Sequence, residues 1–370
     1  MMRKHLTYLF IALAMMSGCN KYAGVESTPE DAYISFELDV ESQTKSLINP
    51  DSQTLNFHTA GSEITMYDVY TPTDKDVNVQ DLSNLVQYLD EQNLKCIGTD
   101  WIFTKRQSNE EEVKIPWTKT GLHDFFAHNS CDASSGQEIP YAVGYSSFED
   151  DAANTTGQHQ YFRIPASGDI TLTTSDNQFD FLYSSQHREV AVDGFQPVEM
   201  SFKHLFAAVY FEVKNISNQQ MRLNSFSLGG IKDKGYAEVA YNGNVSLNLS
   251  PTQPNSQFAK NPSLQLNAGA THVLYDDSGI GQAFLIWPHS TTDFANASFT
   301  IKYNLGKKGS NWNSETTKTV KLSGADSPYK VNNWAAGTVY KYYITISDDM
   351  ISLSVIRVVD WINDDVILEE

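Results

Sequence analysis

Apolar and polar positions alternate along most of this chain. From Tyr33 to Val40, the residues Ile34, Phe36, Leu38 and Val40 fall on one face while Ser35, Glu37 and Asp39 fall on the other, which is the period of two expected of a half-buried strand. The same alternation predicts strands at Glu63 to Tyr70, Asp100 to Thr104, Tyr161 to Ile164, Asp169 to Thr173 and Phe179 to Tyr183. One segment has another rhythm. Leu82, Leu85, Val86 and Leu89 recur at i, i+3, i+4 and i+7 with Asp81 in place to cap them, which predicts one short helix over Asp81 to Gln92.

Between Ser184 and Pro197 the alternation loosens, charged residues gather, and Gly194 and Pro197 interrupt the chain. A domain boundary is placed there, dividing residues 33–190 from 191–370. Beyond it, strands are predicted at Leu205 to Lys214, Met221 to Leu228, Ala237 to Tyr241, Asn244 to Leu249, Ser263 to Leu266 and Thr271 to Tyr275. They continue at Ala283 to Trp287, Ser298 to Asn304, Thr317 to Leu322, Val339 to Ser347 and Ile351 to Val359. Asn242-Gly243 and Gly229-Gly230 supply turns. Many short strands punctuated by Gly, Pro and Asn, with almost no helix, predict an all-β chain of two tandem β-sandwich domains. The 370 residues are ample for two cores at roughly 150 residues per domain.

The N-terminus carries Arg3, Lys4 and His5, then an apolar run from Leu6 to Met16, then Ser17, Gly18 and Cys19. This is the layout of a signal peptide, with an apolar stretch too short to span a bilayer. A cysteine directly after Ser-Gly resembles the lipobox of bacterial lipoproteins, in which that cysteine is acylated and becomes the mature N-terminus; Met16 stands where leucine is usual. The alternatives are an ordinary secreted protein and an uncleaved anchor. On the lipoprotein reading, residues 1–18 are removed, Cys19 holds the chain to the outer membrane, and 19–32 form a polar tether. Each buried acyl methylene contributes about 0.8 kcal/mol to such an anchor. Cys96 and Cys131 are then the remaining thiols, and both a pair and two separate cysteines are open.

The formal charge is -19, from 26 basic and 45 acidic side chains, and loss of the leader removes Arg3 and Lys4 as well. Such a chain repels phosphate backbones, so no nucleic acid partner is expected. A 41% hydrophobic content excludes a disordered chain, and three cysteines are too few for a disulfide framework. His-Glu-x-x-His, Cys-x-x-Cys, Gly-x-x-x-x-Gly-Lys and Gly-x-Ser-x-Gly do not occur, so neither a cofactor nor an enzyme is expected. Asp74-Lys-Asp76-Val-Asn78 begins like a calcium loop, but Val79 and Leu85 stand where glycine and glutamate are needed. The acidic pairs Asp150-Asp151, Asp276-Asp277, Asp348-Asp349 and Asp364-Asp365 read as solvated turns rather than glycosidase carboxylates. His204, inside an apolar stretch, reads as a core or boundary histidine with a backbone partner. Of the six tryptophans, Trp312 lies in a polar stretch, Lys307 to Ser314, and is the exposed aromatic suited to stacking on a sugar ring.

An ordered series of phrases resembles the fimbrillin family of Bacteroidetes. Phe202-Lys-His204-Leu-Phe-Ala-Ala-Val209-Tyr-Phe-Glu-Val213 is similar to the strand that opens the family's C-terminal domain, and Asp180-Phe-Leu-Tyr183 to the one that closes its first. Trp334-Ala-Ala-Gly337-Thr-Val-Tyr340-Lys-Tyr342-Tyr-Ile344 and Val358-Val-Asp360-Trp361 resemble its closing motifs. Gly61 to Tyr70 and Asp124-Phe-Phe-Ala127 are similar to family strands in the first half. The resemblance implies two transthyretin-like Greek-key sandwiches, and a surface lipoprotein that joins other fimbrial subunits by strand exchange.

In that scheme a protease cuts after a basic residue beyond the first strand, and a neighbouring subunit fills the vacated groove. Carried onto this sequence, the cut follows Lys45, freeing a chain that starts at Ser46, and the displaced strand presents Ile34, Phe36, Leu38 and Val40. A solvated loop lysine is the alternative for Lys45. The short tail after Trp361 fits a tip or accessory subunit, though Asp364 to Glu370 has an apolar centre that suits a donor strand. A monomeric surface lipoprotein that binds glycans is the competing function, and a host or bacterial surface ligand is a partner in either case.

Overall fold

The computed structural model describes residues 32–40, 63–71, 86–97, 100–104, 112–118, 120–130, 139, 141–147, 160–172, 179–240, 242–250, 258–260, 263–274, 284–322, 331–348 and 350–360. The strands of the first half are β1 (Phe36–Val40), β2 (Glu63–Thr71), β3 (Val86–Ile97), β4 (Asp100–Thr104), β5 (Leu122–Asn129), β6 (Gly144–Ser147), β7 (Gln160–Ile164), β8 (Ile170–Thr171) and β9 (Leu182–Glu189). The next eight are β10 (Val198–His204), β11 (Ala207–Asn215), β12 (Met221–Gly229), β13 (Lys234–Ala240), β14 (Val245–Leu249), β15 (Phe258–Lys260), β16 (Leu264–Leu266) and β17 (Thr271–Leu274). The last are β18 (Phe284–Ile286), β19 (Ser298–Leu305), β20 (Lys307–Lys308), β21 (Asn311–Trp312), β22 (Glu315–Lys321), β23 (Thr338–Ile346) and β24 (Ile351–Asp360). Helix among the described residues is confined to single turns at Val190–Asp193 and Thr291–Phe294. The chain is all-β.

Seven strands form one sheet in the order β1-β10-β9-β5-β2-β3-β4, antiparallel except that β1 runs parallel to β10. Segment 112–117 joins the two ends of this sheet. The Val113 N–H donates to the Phe103 carbonyl at 2.9 Å on one side, while Ile34 N–H donates to Ile115 at 2.8 Å and Trp117 N–H to Ala32 at 3.0 Å on the other. The sheet therefore closes into a barrel, which removes the edge-strand problem. Inside it lie Ile34, Phe36, Leu38, Met66, Phe103, Phe125, Val198, Met200 and Phe202.

The outer face of β2, β5 and β9 is apolar as well. Tyr67, Val69, Phe126 and Tyr183 belong to a core shared with Phe162 and Ile164 of a second sheet, ordered β14-β13-β7-β6 with β8 beside β13. Phe126 and Phe162 stack with centroids 4.4 Å apart. The same core runs on into the C-terminal sandwich, whose sheets are β17-β11-β23-β24 with β18 beside β11, and β15-β12-β19-β22 with β16 beside β12. Phe211 meets Phe226 at 4.7 Å and Tyr342 at 5.2 Å between these sheets. Gly230, at φ +70°, turns the chain after β12, and a Cβ there would lie 2.0 Å from the Asn296 carbonyl oxygen. No other residue fits that turn without moving backbone.

Two expectations change. The helix over Asp81 to Gln92 is not formed: Val86–Ile97 is strand β3, and residues 81–85 lie outside the described set. Met66 pairs with Gln92 and Asp68 with Leu89, so Asp90 and Glu91 together face Tyr67, with Glu91 at φ 46°, and Val69 pairs with Gln87, so Tyr88 is a further extra residue. An extra residue shifts the phase of a period-two pattern, which is why Val86 and Leu89 fall at a helix-like spacing of three. The strand expected at Phe179 to Tyr183 runs instead from Leu182 to Glu189, into the stretch read as interdomain chain. Strands also cross the boundary placed at 190/191. β10 completes the barrel, and β13 pairs with β7 through Ala237 and Ile164.

Candidate functional site

β1 occupies a slot with a hydrogen-bonding neighbour on each side. Its C-terminal part registers with β10, from Phe36 opposite Val198 to Val40 opposite Phe202, and the residues before it bond to segment 115–117. Ala32, Ile34, Phe36 and Leu38 are buried in the barrel while Tyr33, Ser35 and Glu37 are exposed. The Phe36 ring stands edge-on to Phe103 and to Phe125, with centroids 5.5 Å away in both cases. Backbone pairing and alternate pockets are the two elements of strand addition.

Beside the slot, the sheet carries three carboxylate–imidazole pairs. His123 Nδ1 meets Asp68 Oδ2 at 2.6 Å, His204 Nδ1 meets Asp180 Oδ1 at 2.7 Å, and His187 Nδ1 meets Asp124 Oδ1 at 2.5 Å. Burial raises the Asp68 carboxyl above its usual range, and the His123 contact works against that rise. The Asp124 carboxylate raises His187, whereas burial lowers His128 to about 4. Thr118 Oγ1 lies 2.7 Å from His123 Nε2, completing a hydroxyl–imidazole–carboxylate series. It does not form a nucleophile. The Thr118 hydroxyl donates to the Thr120 carbonyl at 3.0 Å, and Tyr70, Tyr88, Trp117 and Phe125 ring His123, which is fully buried. The series bonds segment 112–118 to the barrel wall.

At the far end of the C-terminal sandwich, Trp312 lies half-buried on the hairpin β20–β21. It borders a concavity of about 680 Å³ that also takes in Gln219, Tyr303, Asn311, Asn313 and Asp348. Lys307 Nζ is 4.3 Å and the Arg222 guanidinium 5.3 Å from the Trp312 ring centroid. Among the described residues no group of three His, Cys, Asp or Glu side chains is placed to hold a metal ion.

A family model described as fimbrillin-like matches residues 58–361. The chain belongs to the fimbrillin-like family. The family is one of structural fimbrial subunits rather than enzymes. No curated protein matches this fimbrillin-like chain in sequence. Among solved structures, a fimbrial protein from Bacteroides vulgatus superposes with a TM-score of 0.50 at 14% identity, covering 90% of this chain and all of its own. At that identity the likeness is one of fold. A candidate cell adhesion protein from Bacteroides ovatus gives 0.46 at 15% identity, over 90% of this chain and 100% of that one. The fimbrial anchor protein Mfa2 from Porphyromonas gingivalis gives 0.32 at 13% identity, over 88% and 96%.

In this fimbrillin-like protein, Ile34, Phe36 and Leu38 come together in one slot, and Val40 is the last residue of β1. Trp312 lies in the other half of the chain and is half-buried rather than exposed. Cys19, Lys45, Ser46, Cys131 and the tail from Trp361 lie outside the described residues, and Cys96 is buried. His204 has a carboxylate partner, Asp180. Sequence reading missed segment 112–117 because its alternation, Val113, Ile115 and Trp117, is short and interrupted by Pro116, and missed His123 because its partner Asp68 is 55 residues away, and Thr118 because it bonds to that histidine.

Proposed function

We propose that this protein is a fimbrial subunit whose first strand is a replaceable part. It is exported as a lipoprotein, held at the outer membrane through Cys19, and cut after Lys45 so that the segment carrying Ile34, Phe36, Leu38 and Val40 leaves. A strand from another fimbrial subunit then fills the slot between β10 and segment 115–117. The observation that carries this reading is the seating of β1. Its backbone is bonded on both sides and its alternate side chains fill the barrel. Removal exposes unpaired N–H and C=O groups together with apolar pockets, which an incoming strand satisfies at once. Family membership supports a subunit role.

N-terminal sequencing and intact-mass analysis of protein sheared from its native cell surface test the reading. Chains beginning at Ser46 are expected in assembled material. If every surface chain retains an acylated Cys19 and the first strand, strand replacement is abandoned in favour of an anchored subunit or a monomeric lipoprotein.

A further inference from the structure

The concavity beside Trp312 joins elements that are separate in sequence. β11 begins three residues after the barrel strand β10 ends and runs nine residues away from it, a span of about 30 Å. The loop that follows supplies Gln219, the end of β19 supplies Tyr303 and Leu305, the hairpin supplies Asn311 and Trp312, and the turn after β23 supplies Asp348. The concavity therefore straddles both sheets at the pole of the sandwich opposite the barrel.

Its walls are fixed before any ligand arrives. Gln219 Nε2 donates to Asp348 Oδ1 at 3.0 Å, tying the loop after β11 to the turn after β23. Asn313 Nδ2 donates to the Leu305 carbonyl at 2.9 Å, and the Asn313 N–H to the Gly306 carbonyl at 3.1 Å, so the base of the hairpin is clamped. Buried Asn304 takes two hydrogen bonds from Arg222 and returns one to the Asn313 carbonyl at 2.8 Å. Lys307 Nζ and the Arg222 guanidinium lie over the Trp312 ring, 4.3 Å and 5.3 Å from its centroid, and neither lines the concavity. They hold the indole without filling the space beside it, and a ring held in this way loses little freedom on binding.

The chemistry of the lining selects the ligand class. One aromatic plane is surrounded by side-chain amides, hydroxyls and a carboxylate, from Asn311, Asn313, Ser314, Thr316 and Asp348. Lys308 is the one cation and Asp348 the one carboxylate among the lining residues, so the lining itself is balanced in charge. An apolar molecule leaves the amides unpaired, at a desolvation cost. A pyranose offers an apolar C–H face to the indole and paired hydroxyls to amides and carboxylate. From this arrangement we infer that the pole of the C-terminal sandwich is a binding site for a neutral saccharide, with Trp312 as its platform. The site is separate from the strand slot of the barrel: Trp312 lies 108 residues beyond His204, the last residue of β10.

The test uses the full mature chain on an array of neutral oligosaccharides built from hexoses and N-acetylhexosamines, followed by titration calorimetry with the strongest binder. Saturable binding is expected, weakened by about tenfold or more in Trp312→Ala. Ser314→Arg, at an exposed lining position, fills the space without touching the indole's supports and is expected to abolish binding with the melting temperature unchanged. Trp312→Phe keeps a ring and is expected to retain part of the affinity. The inference is overturned if no neutral saccharide binds saturably, or if binding survives both Trp312→Ala and Ser314→Arg.

Discussion

The ring of Phe36 on the first strand stands at 80° to the ring of Phe103 on β4, with centroids 5.5 Å apart, across the interior of the barrel. These residues belong to opposite end strands of a seven-stranded sheet. Their contact adds a side-chain link to the closure that the backbone of segment 112–117 makes, and edge-to-face aromatic pairs of this kind contribute beyond their buried area.

Phe36→Ala removes both edge contacts and leaves a cavity against Phe103 and Phe125, so it is expected to cost about 3–5 kcal/mol in urea unfolding. Glu37→Ala, one residue on and facing solvent, is expected to change stability by no more than about 0.5 kcal/mol. Equal effects at the two positions would show that β1 is not seated with this phase.

Tyr342→Phe tests the second core. The Tyr342 hydroxyl accepts from Trp334 Nε1 at 3.0 Å, with both side chains buried and the phenol raised well above its ordinary pKa by that burial. The variant keeps the packing and orphans the indole N–H, which is expected to cost about 1–3 kcal/mol in thermal or denaturant unfolding. An unchanged stability would mean that the hydroxyl contributes nothing to this core.

Acid sensitivity is expected to come from His128. It is stacked on Tyr67 and Phe181, buried, and lowered to about 4, so between about 6.5 and 4 the unfolded chain takes up a proton that the folded chain refuses. Stability is therefore lost as pH falls through that window, by about 3 kcal/mol for this group. His128→Phe keeps the stacking, and its stability relative to the parent should improve by about that amount between pH 7 and 4. His187 works in the opposite sense. Asp124 raises it, so its contribution is complete below its unfolded value near 6.5 and fades as pH rises through the raised folded value. A flat difference curve for His128→Phe would refute the assignment.

Strands with one dry face were legible from their residues. Ile34, Phe36 and Leu38, or the β12 residues Met221, Leu223, Phe226 and Leu228, announce which side is buried. β5 was legible only through its likeness to a family strand. From His123 to Asn129 every residue is buried, because the barrel core covers one face and the second sheet the other, and a strand covered twice has no alternation to read. β3 was misread because Tyr88 is an extra residue between Val86 and Leu89, and where that irregularity falls depends on the pairing with β2. The saccharide platform was half legible. Trp312 stood out in a polar stretch, but Gln219 and Asp348, 129 residues apart, meet only because β11 and β23 pair in parallel and end together.

The sequence by itself determined the class of this protein: period-two alternation, turn residues and an ordered series of family phrases specify an all-β fimbrillin-like chain, since each is a local property of the backbone and its side chains. Tertiary structure alone decided how the strands are shared. That β1 lies between β10 and segment 115–117, that β13 completes a sheet begun by β6 and β7, and that Asp68 meets His123 all follow from pairings between distant residues. Such pairings are selected by the burial of whole faces together, a sum over the folded chain that no single stretch of it contains.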